Sequence, residues 1–381
     1  MHFMRKSFKY RLYPTRSQET ILAAQLDGCR WLYNRLLEQR KVSYETTKSA
    51  PGLYDQQKTI PSLKIEHPAL VAIHSQVLQN VAVRIDLAFK AFFRRVKAGQ
   101  TPGYPRFRGK FRYDSMTFPQ CPSGCAVKGD RLALSKVGGV RIVLHRPIEG
   151  TPKTCTVRRS STGKWYASFS CEVSRPDPLP VSTAQVGIDV GLTTFATLSI
   201  GPDGEPIENP RFFRIDEKEL GKAQRKFAKT AKGTAERRKR RKPVARIHER
   251  IAFRRDNFVN QTTRRIVNRF GFIAVEDLEV NRMVHNRCLA KSISDAAWSM
   301  FFALLIVKAE SAGRTVVRVN PAYTSQTCNA CGHRQKMPLS ERVYRCECCK
   351  VERGRDHNAS LNILALGLQS VRDNPVEAAP L

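Results

Sequence analysis

Cys328-x2-Cys331 and Cys346-x2-Cys349 stand fourteen residues apart. At that spacing two pairs of thiolates close around one tetrahedral zinc, with bonds of about 2.3 Å. Gly332 follows the first pair, where the backbone must turn sharply around the metal, whereas the second pair is followed by the less typical Lys350. Cys348 interrupts the symmetry: either it or Cys349 could ligate, and the x2 spacing of the first pair favours Cys349. A zinc closed by four sulfurs admits no substrate, so the metal is structural and the chemistry lies elsewhere. Cys121 and Cys125 have no second pair nearby and read as reduced thiols in a β-structure.

Three acids offer that chemistry. Asp189 sits inside the apolar stretch "QVGIDVGLTTFATLSI", flanked two residues away on each side by Gly187 and Gly191. Burying its charge unpaired would cost several kcal/mol, so it requires a cation or a hydrogen-bonding network. Glu276 ends a second apolar stretch, "RFGFIAVEDLEV", and Asp356 precedes "HNASLNILAL", a predicted helix whose positive end favours an acid. Taken singly these are a turn aspartate, a surface acid and a helix cap. Together, as two acids at strand ends and one at a helix start, they are the hard oxygen ligands that two Mg²⁺ ions need on either side of a phosphate. Phosphodiester hydrolysis is the reaction such a set performs. The cysteine loop lies between the last predicted strand and the last helix, so it is expected to fix the path that delivers Asp356.

Charge points to the same substrate. Lys and Arg number 66 against 33 Asp and Glu, a net +33, which calls for a polyanionic partner. The longest apolar run, "FFALLIV" at 301–307, is far short of a membrane span, and "MHFMRKSFK" lacks the apolar core of a signal peptide. The expected location is the cytoplasm or nucleoid of a prokaryote, and no membrane partner is expected. The tract "RRKRRK", Arg237, Arg238, Lys239, Arg240, Arg241 and Lys242, lies in a basic helical stretch over 216–270 and is expected to grip nucleic acid through phosphates.

The elements that must position these residues fall into two halves. "FKYRLYP" alternates as a half-buried strand, and Thr15 with Gln18 has capping-box spacing for a helix carrying Leu22, Leu26, Cys29, Tyr33 and Leu36. A Pro/Gly loop over 50–62 leads to a second helix with Leu70, Ile73, Val77, Val81, Ile85, Phe89, Phe92 and Val96 on one face. Short strands with turn signals follow from 103, closing a small β-barrel into which the helices are inserted. The linker "SRPDPLPVS" at 174–182 separates this half from the next. Beyond it are expected a strand over 185–200, the basic helices, a strand over 271–276, a helix over 293–311, a strand over 314–320, the cysteine loop and a final helix.

"GIDVGL", "IAVEDL", "SQTCNACG", "CECC" and "RDHNASLNI", in that order, closely resemble the TnpB family of insertion-sequence-encoded RNA-guided endonucleases, related to type V CRISPR effectors and Fanzor proteins. "YRLYPT", "GYPRFRGK" and "SISDAAW" extend the likeness over nearly the whole chain. The resemblance implies an α+β multidomain protein. A wedge-type β-barrel (1–14 plus 103–180) would carry a helical recognition module (15–102), followed by an RNase H-like RuvC domain (183–381) with a zinc-finger insert (322–352). It also implies Asp189, Glu276 and Asp356 as the catalytic Mg²⁺ ligands, a guide noncoding RNA, and a double-stranded DNA target beside a short adjacent motif, acted on by a monomer. Gly354 stands where many relatives carry a second acid. Gln side chains suit adenine edges, which makes Gln79 and Gln120, with Tyr54, candidates for reading the motif. Two rival activities remain: a nuclease-inactive RNA-guided DNA-binding regulator, which would be expected to lose acids, and an RNase H-like transposase, whose last acid is usually a glutamate.

Overall fold

The computed structural model describes residues 3–110, 112–338 and 340–373. Residues 1, 2 and 374–381, which the expected first and last domains include, lie outside the described residues. The chain divides into two compact units between Arg175 and Pro176.

In the first unit β1 (Phe3–Tyr13) leads directly into α1 (Arg16–Thr47). Thr15 and Gln18 form the capping box, the Gln18 amide donating to Thr15 Oγ1 and the Thr15 amide to Gln18 Oε1. The expected loop over 50–62 is instead mostly helical: α2 (Leu53–Lys58) and α3 (Ile60–Glu66) are short helices. Asp55 caps the first by accepting from the Gly52 amide at 3.0 Å, and Pro61 opens the second, where a missing N–H costs nothing. The next long helix, α4 (Ser75–Lys97), starts later than its apolar periodicity suggested. Pro68–Ala72 is a 3₁₀ turn and Ile73 is extended, so Leu70 and Ile73 reach the core from outside α4. The rest of the unit is β2 (Ser115–Phe118), β3 (Cys125–Lys128), β4 (Arg131–Leu134), β5 (Gly138–Val143), β6 (Thr151–Arg159) and β7 (Trp165–Ser174). With β1 they form one antiparallel seven-stranded sheet in the order β2-β6-β7-β1-β5-β4-β3. Among the described residues no ladder joins the edges β2 and β3, so the sheet is nearly closed and not a fully hydrogen-bonded barrel.

A single core runs through sheet and helices: Phe8, Tyr10 and Leu12 alternate inward from β1 and meet Leu22–Leu37 of α1, Val77–Phe89 of α4, and Trp165 and Phe169. The Arg84 guanidinium pins α4 to β2 by donating to Ser115 O and Thr117 Oγ1, both at 2.8 Å. Cys121 and Cys125, expected as reduced thiols, are joined in a disulfide. The β2–β3 connection turns back on itself, Gly124 donating to Gln120 O, and leaves the two Cα atoms 5.6 Å apart, within bridging range.

The second unit begins with β8 (Gln185–Val190), β9 (Thr194–Leu198) and β10 (Glu205–Glu208), so the single strand expected over 185–200 is a hairpin turning at Gly191. The basic stretch is a helical pair, α5 (Phe212–Ala228) and α6 (Ala235–Arg269). Then come β11 (Phe272–Glu276), α7 (Val280–Met283), α8 (Ala290–Ala296), α9 (Trp298–Ser311) and β12 (Thr315–Val319). A small hairpin, β13 (Val343–Arg345) with β14 (Glu352–Gly354), precedes α10 (Arg355–Asp373). The main sheet has the order β10-β9-β8-β11-β12, antiparallel across β10, β9 and β8 and parallel across β8, β11 and β12.

The apolar stretch is longer than "FFALLIV" alone: Ala290–Ser311 is long and apolar enough to cross a membrane by length and composition. Ala297 breaks it with a φ of 57°, and Trp298, Phe301, Phe302, Leu305 and Ala309 are buried in the core of this unit.

Two small residues set how α10 lies on the sheet. A Cβ on Gly187 would stand 2.0 Å from the Ser360 carbonyl oxygen, and one on Gly367 would stand 2.6 Å from Ala274 Cβ. The helix backbone therefore rests directly on β8 and β11, a contact that any side chain at 187 would lift. Gly187→Ala is expected to cost about 3 kcal/mol in urea unfolding, at the top of the range for overpacking. Gly354→Ala, whose Cβ would meet only His357 Cβ at 3.9 Å, is expected to stay within about 0.5 kcal/mol of the unsubstituted chain.

Candidate metal centres and nucleic-acid contacts

Strand register brings the acids together. On the parallel pair β8/β11, Ala274 lies opposite Gly187 and Val275 opposite Ile188, so Asp189 and Glu276 are the next step on adjacent strands. Because side chains alternate, both point to the face on which Gly187 and Ala274 receive α10. Asp189 is two residues beyond Gly187, about 6.6 Å along the strand, and Asp356 is one helical turn, about 6 Å, before Ser360. The two acids thus leave the contact point by similar lengths and meet at its edge.

Electrostatics reports that meeting. Burial pushes the Asp189 carboxyl well above its ordinary value, and the Glu276 and Asp356 charges push it further, while Arg355 opposes them. Asp189 keeps some solvent contact, being half-buried by surface area although densely surrounded by protein atoms. Glu276 is buried and also raised by desolvation, an effect opposed by Thr324 Oγ1, which donates to its carboxylate at 2.8 Å. Asp356 lies in the first turn of α10 and is partly exposed, with the Arg342 guanidinium 4.0 Å away. Arg342 also donates to Thr193 Oγ1, on the turn that follows Asp189. The three carboxylates do not close to the spacing of a one-ion cage; among the described residues the four cysteines do that, with sulfurs within 4.8 Å of one another. A wider set is what two ions about 3.5–4 Å apart require. Carboxylate oxygens gathered at a partly solvated strand end are the hard ligands that divalent cations take.

Around the second metal the geometry is closed. Cys328 and Cys349 sulfurs are 3.7 Å apart and those of Cys331 and Cys346 are 3.6 Å apart. Bonds of about 2.3 Å to a tetrahedral zinc give edges of about 3.8 Å, so the set fits Zn²⁺. Cys348 is exposed and outside the cluster, which resolves the ambiguity in favour of Cys349. The two halves are built alike: Gly332 N–H donates to Cys328 O, Lys350 N–H to Cys346 O, and both residues take positive φ, 76° and 62°. Amides of Cys349 and Cys348 aimed at the Cys346 sulfur hold its thiol down to about 6, ready to ligate as thiolate.

The zinc loop is bolted to α10 by buried amides. Asn358 accepts from the Asn329 amide at 3.0 Å and donates to Thr327 O at 2.7 Å, and Asn362 donates to Thr324 O and Thr327 O. Arg355 donates to Pro338 O at 3.0 Å from the other side of the loop. Thr324, Asn358 and Asn362 escape a reading by residue type, whereas Arg342 and Arg355 belong to the basic set of the cysteine loop that suits phosphates. Only the i, i+4 pair of asparagines in "HNASLN" signals that one helix face is polar and therefore occupied.

The nucleic-acid candidates are scattered. Arg237 caps the end of α5, donating to Phe227 O and Thr230 O and stacking over Phe227, and Arg240 pairs with Glu236; Arg238, Lys239, Arg241 and Lys242 are exposed on α6. Gln79 and Tyr54 are exposed on α4 and α2, which Gln57 links by donating to Gln79 O. Gln120 accepts from the amide of Gln76, a residue three positions before Gln79 that residue type alone did not single out.

The family model OrfB_IS605, described as a probable transposase, matches residues 168–287, and one described as a Cas12f1-like TNB domain matches 298–363, which includes all four cysteines and Asp356. A model described as a helix-turn-helix domain matches 1–49, where this chain forms one strand and one unbroken helix. A Streptomyces pristinaespiralis protein named an RNA-guided DNA endonuclease is 36% identical over 97% of this chain and 90% of its own length. InsQ of Escherichia coli K12, named likewise, is 30% identical over 95% and 92%. The Cas12f1 endodeoxyribonuclease of Sulfoacidibacillus thermotolerans is 29% identical over 52% of this chain and 50% of its own length. Among solved structures, a Cas12f1–guide RNA–target DNA complex superimposes with a TM-score of 0.60 at 14% identity, covering 95% of this chain and 98% of that one. The chain has this Cas12f-like α+β multidomain fold.

Two outcomes test the centres. In metal-free protein Asp189→Asn is expected to raise Tm at neutral pH. The raised carboxyl favours the folded state below the ordinary aspartate range and loses that contribution as pH climbs through its elevated value. The gain should therefore vanish near pH 3, as measured by thermal unfolding in chelator. Zinc analysis of purified protein is expected to give one equivalent for Cys348→Ser and much less for Cys349→Ser.

Proposed function

The chain belongs to the OrfB_IS605 family of TnpB proteins, and on that footing we propose that it is an RNA-guided DNA endonuclease of a transposable element. The proposed reaction is two-metal hydrolysis of duplex DNA next to a short adjacent motif. The observation that carries this reading is the strand register that sets Asp189 beside Glu276 at the end of a mixed sheet, on the face where α10, which bears Asp356, packs against Gly187. The strand order β10-β9-β8-β11-β12, three antiparallel strands followed by two parallel ones, supports an RNase H-like, RuvC-type domain.

Asp189, Glu276 and Asp356 would hold two Mg²⁺ ions, which when bound supply an activated water on one side of the scissile phosphate and stabilise the leaving oxygen on the other. Thr324 orients Glu276 by hydrogen bond, so that carboxylate is fixed before substrate arrives. Arg342 holds a positive charge beside Asp356, placed to orient a phosphate. The zinc finger's contribution is to anchor the first turn of α10. The first unit would serve as wedge and recognition module, with Gln79, Gln120 and Tyr54 near the adjacent motif. The exposed cations of α6 would grip the guide RNA or its duplex with the target, base pairing being left to read sequence. The cytoplasm or nucleoid is the expected place of work.

Retention of all three acids favours cutting over a binding-only regulator. An aspartate, not a glutamate, on the last helix distinguishes the set from the usual transposase arrangement. With the guide RNA and a matching duplex, cleavage is expected to need Mg²⁺. Asp189→Ala should lower its rate at least about 10³-fold, a loss of about 4 kcal/mol of transition-state stabilisation, with target binding kept. Cys346→Ser should lose both zinc and cleavage. Full cutting by either variant would overturn the assignment.

A further inference from the structure

A second cationic feature lies away from the carboxylates. The last turns of α6 and the end of α9 enclose a shallow groove of about 610 Å³ lined by Asn260, Gln261, Arg264, Arg265, Asn268, Arg269 and Lys308. Its lining holds four cations, three amides and no carboxylate. Glu205 forms a bidentate pair with Arg269 at 2.7 and 2.8 Å and also feels the charge of Arg265, and among the described residues no ion pair involves Arg264. Lys308 is fixed rather than free: its ammonium donates to Asn260 O at 2.7 Å and Thr263 Oγ1 at 2.9 Å. Burial and the neighbouring Arg264 both disfavour its charge. Folding has thus placed like charges together, at a cost that an anion entering the groove would recover.

Position narrows the occupant. Arg269 lies three residues before the start of β11 and Lys308 seven before that of β12, so the groove borders the entry end of the parallel strands. Glu276 closes the exit end of β11, four residues on from Phe272, which at about 3.3 Å per residue is about 13 Å away. A strand held there is not the phosphate being cut. Asn260 and Gln261 donate within α6, to Asp256 O and Asn257 Oδ1, which leaves their side-chain oxygens as acceptors, and Asn268 is exposed; such acceptors suit the 2′-hydroxyl donor that only RNA carries.

We propose that this groove binds the sugar–phosphate backbone of an RNA strand, holding the guide on the far side of the sheet from the catalytic acids. The inference rests on the proposed function. It assigns Arg264 and Lys308 as phosphate contacts, and Gln261 and Asn268 as ribose contacts.

The test measures affinity of the full, zinc-loaded chain for a 30-nucleotide RNA hairpin, and separately for the DNA hairpin of the same sequence, from about 50 to 200 mM salt. The variants are Arg264→Glu and, as a milder change on the same exposed face, Arg264→Gln with Asn268→Ala. Arg372→Glu, exposed at the end of α10, controls for net charge. Arg264→Glu is expected to weaken RNA binding about tenfold more than the control does and to reduce the salt slope by about 0.7–0.9 for the lost contact. The double variant is expected to weaken RNA binding more than DNA binding. Affinities and slopes matching those of the control would overturn the groove, and an equal or greater loss for DNA would assign it to a DNA strand instead. An unsubstituted chain that bound the RNA hairpin without salt dependence would count against both the groove and the RNA-guided reading. Normal RNA binding that ignores Arg264 sinks the groove alone.

Discussion

Asp189, Glu276 and Asp356 repel one another, and the second unit is organised to keep them together despite that. None of the three can relax away. Asp189 and Glu276 are fixed by neighbouring rungs of a parallel ladder, and Asp356 by a helix whose backbone lies on Gly187. The strain appears as a carboxyl held protonated to unusually high pH, with Arg355 giving partial relief. On the proposed reading a divalent ion would convert that repulsion into binding energy, so the feature that costs stability in metal-free protein would provide affinity in the loaded one.

The finger's part follows from where its chain begins and ends. It leaves the sheet just after β12, supplies Thr324 to Glu276 on the way out, and re-enters through Arg355 into the turn that bears Asp356. Between those points two matched turns at Gly332 and Lys350 wrap the four sulfurs. Lys350 adopts there a backbone conformation that suits glycine better, at a cost of roughly 1 kcal/mol. The side-chain amides of Asn358 and Asn362, bonded to Thr324, Thr327 and Asn329 of the loop, tie the position of α10 to the folded finger. Zinc held by these four sulfurs would have no position open to substrate and would act through geometry alone.

Much of this was legible in the sequence because the physics was local. Capping at Thr15, alternation through β1, and the cysteine spacing each follow from a few adjacent residues. The three acids stood out as a set, two at the ends or middle of apolar strands and one at a helix start, where each alone was unremarkable. Features set by distant contacts were not legible. Nothing around residue 50 announces helices whose ends are satisfied by Asp55 and Pro61, and nothing near Cys121 shows that its connection folds back far enough to bring Cys125 within bond length. The shared core of helices and sheet in the first unit was equally hidden, since periodicity tells which face is buried but not against what. Arg237 shows the limit for charge: within "RRKRRK" it looks like its neighbours, yet it is used to cap α5.

The most direct test is crystallographic. Crystals of the zinc-loaded chain soaked in Mn²⁺ should show two anomalous peaks about 3.5–4 Å apart among the carboxylates of Asp189, Glu276 and Asp356, with Glu276 still bonded to Thr324. Saturating Mn²⁺ that left those carboxylates without metal, or that bound at a site sharing none of the three, would contradict the account.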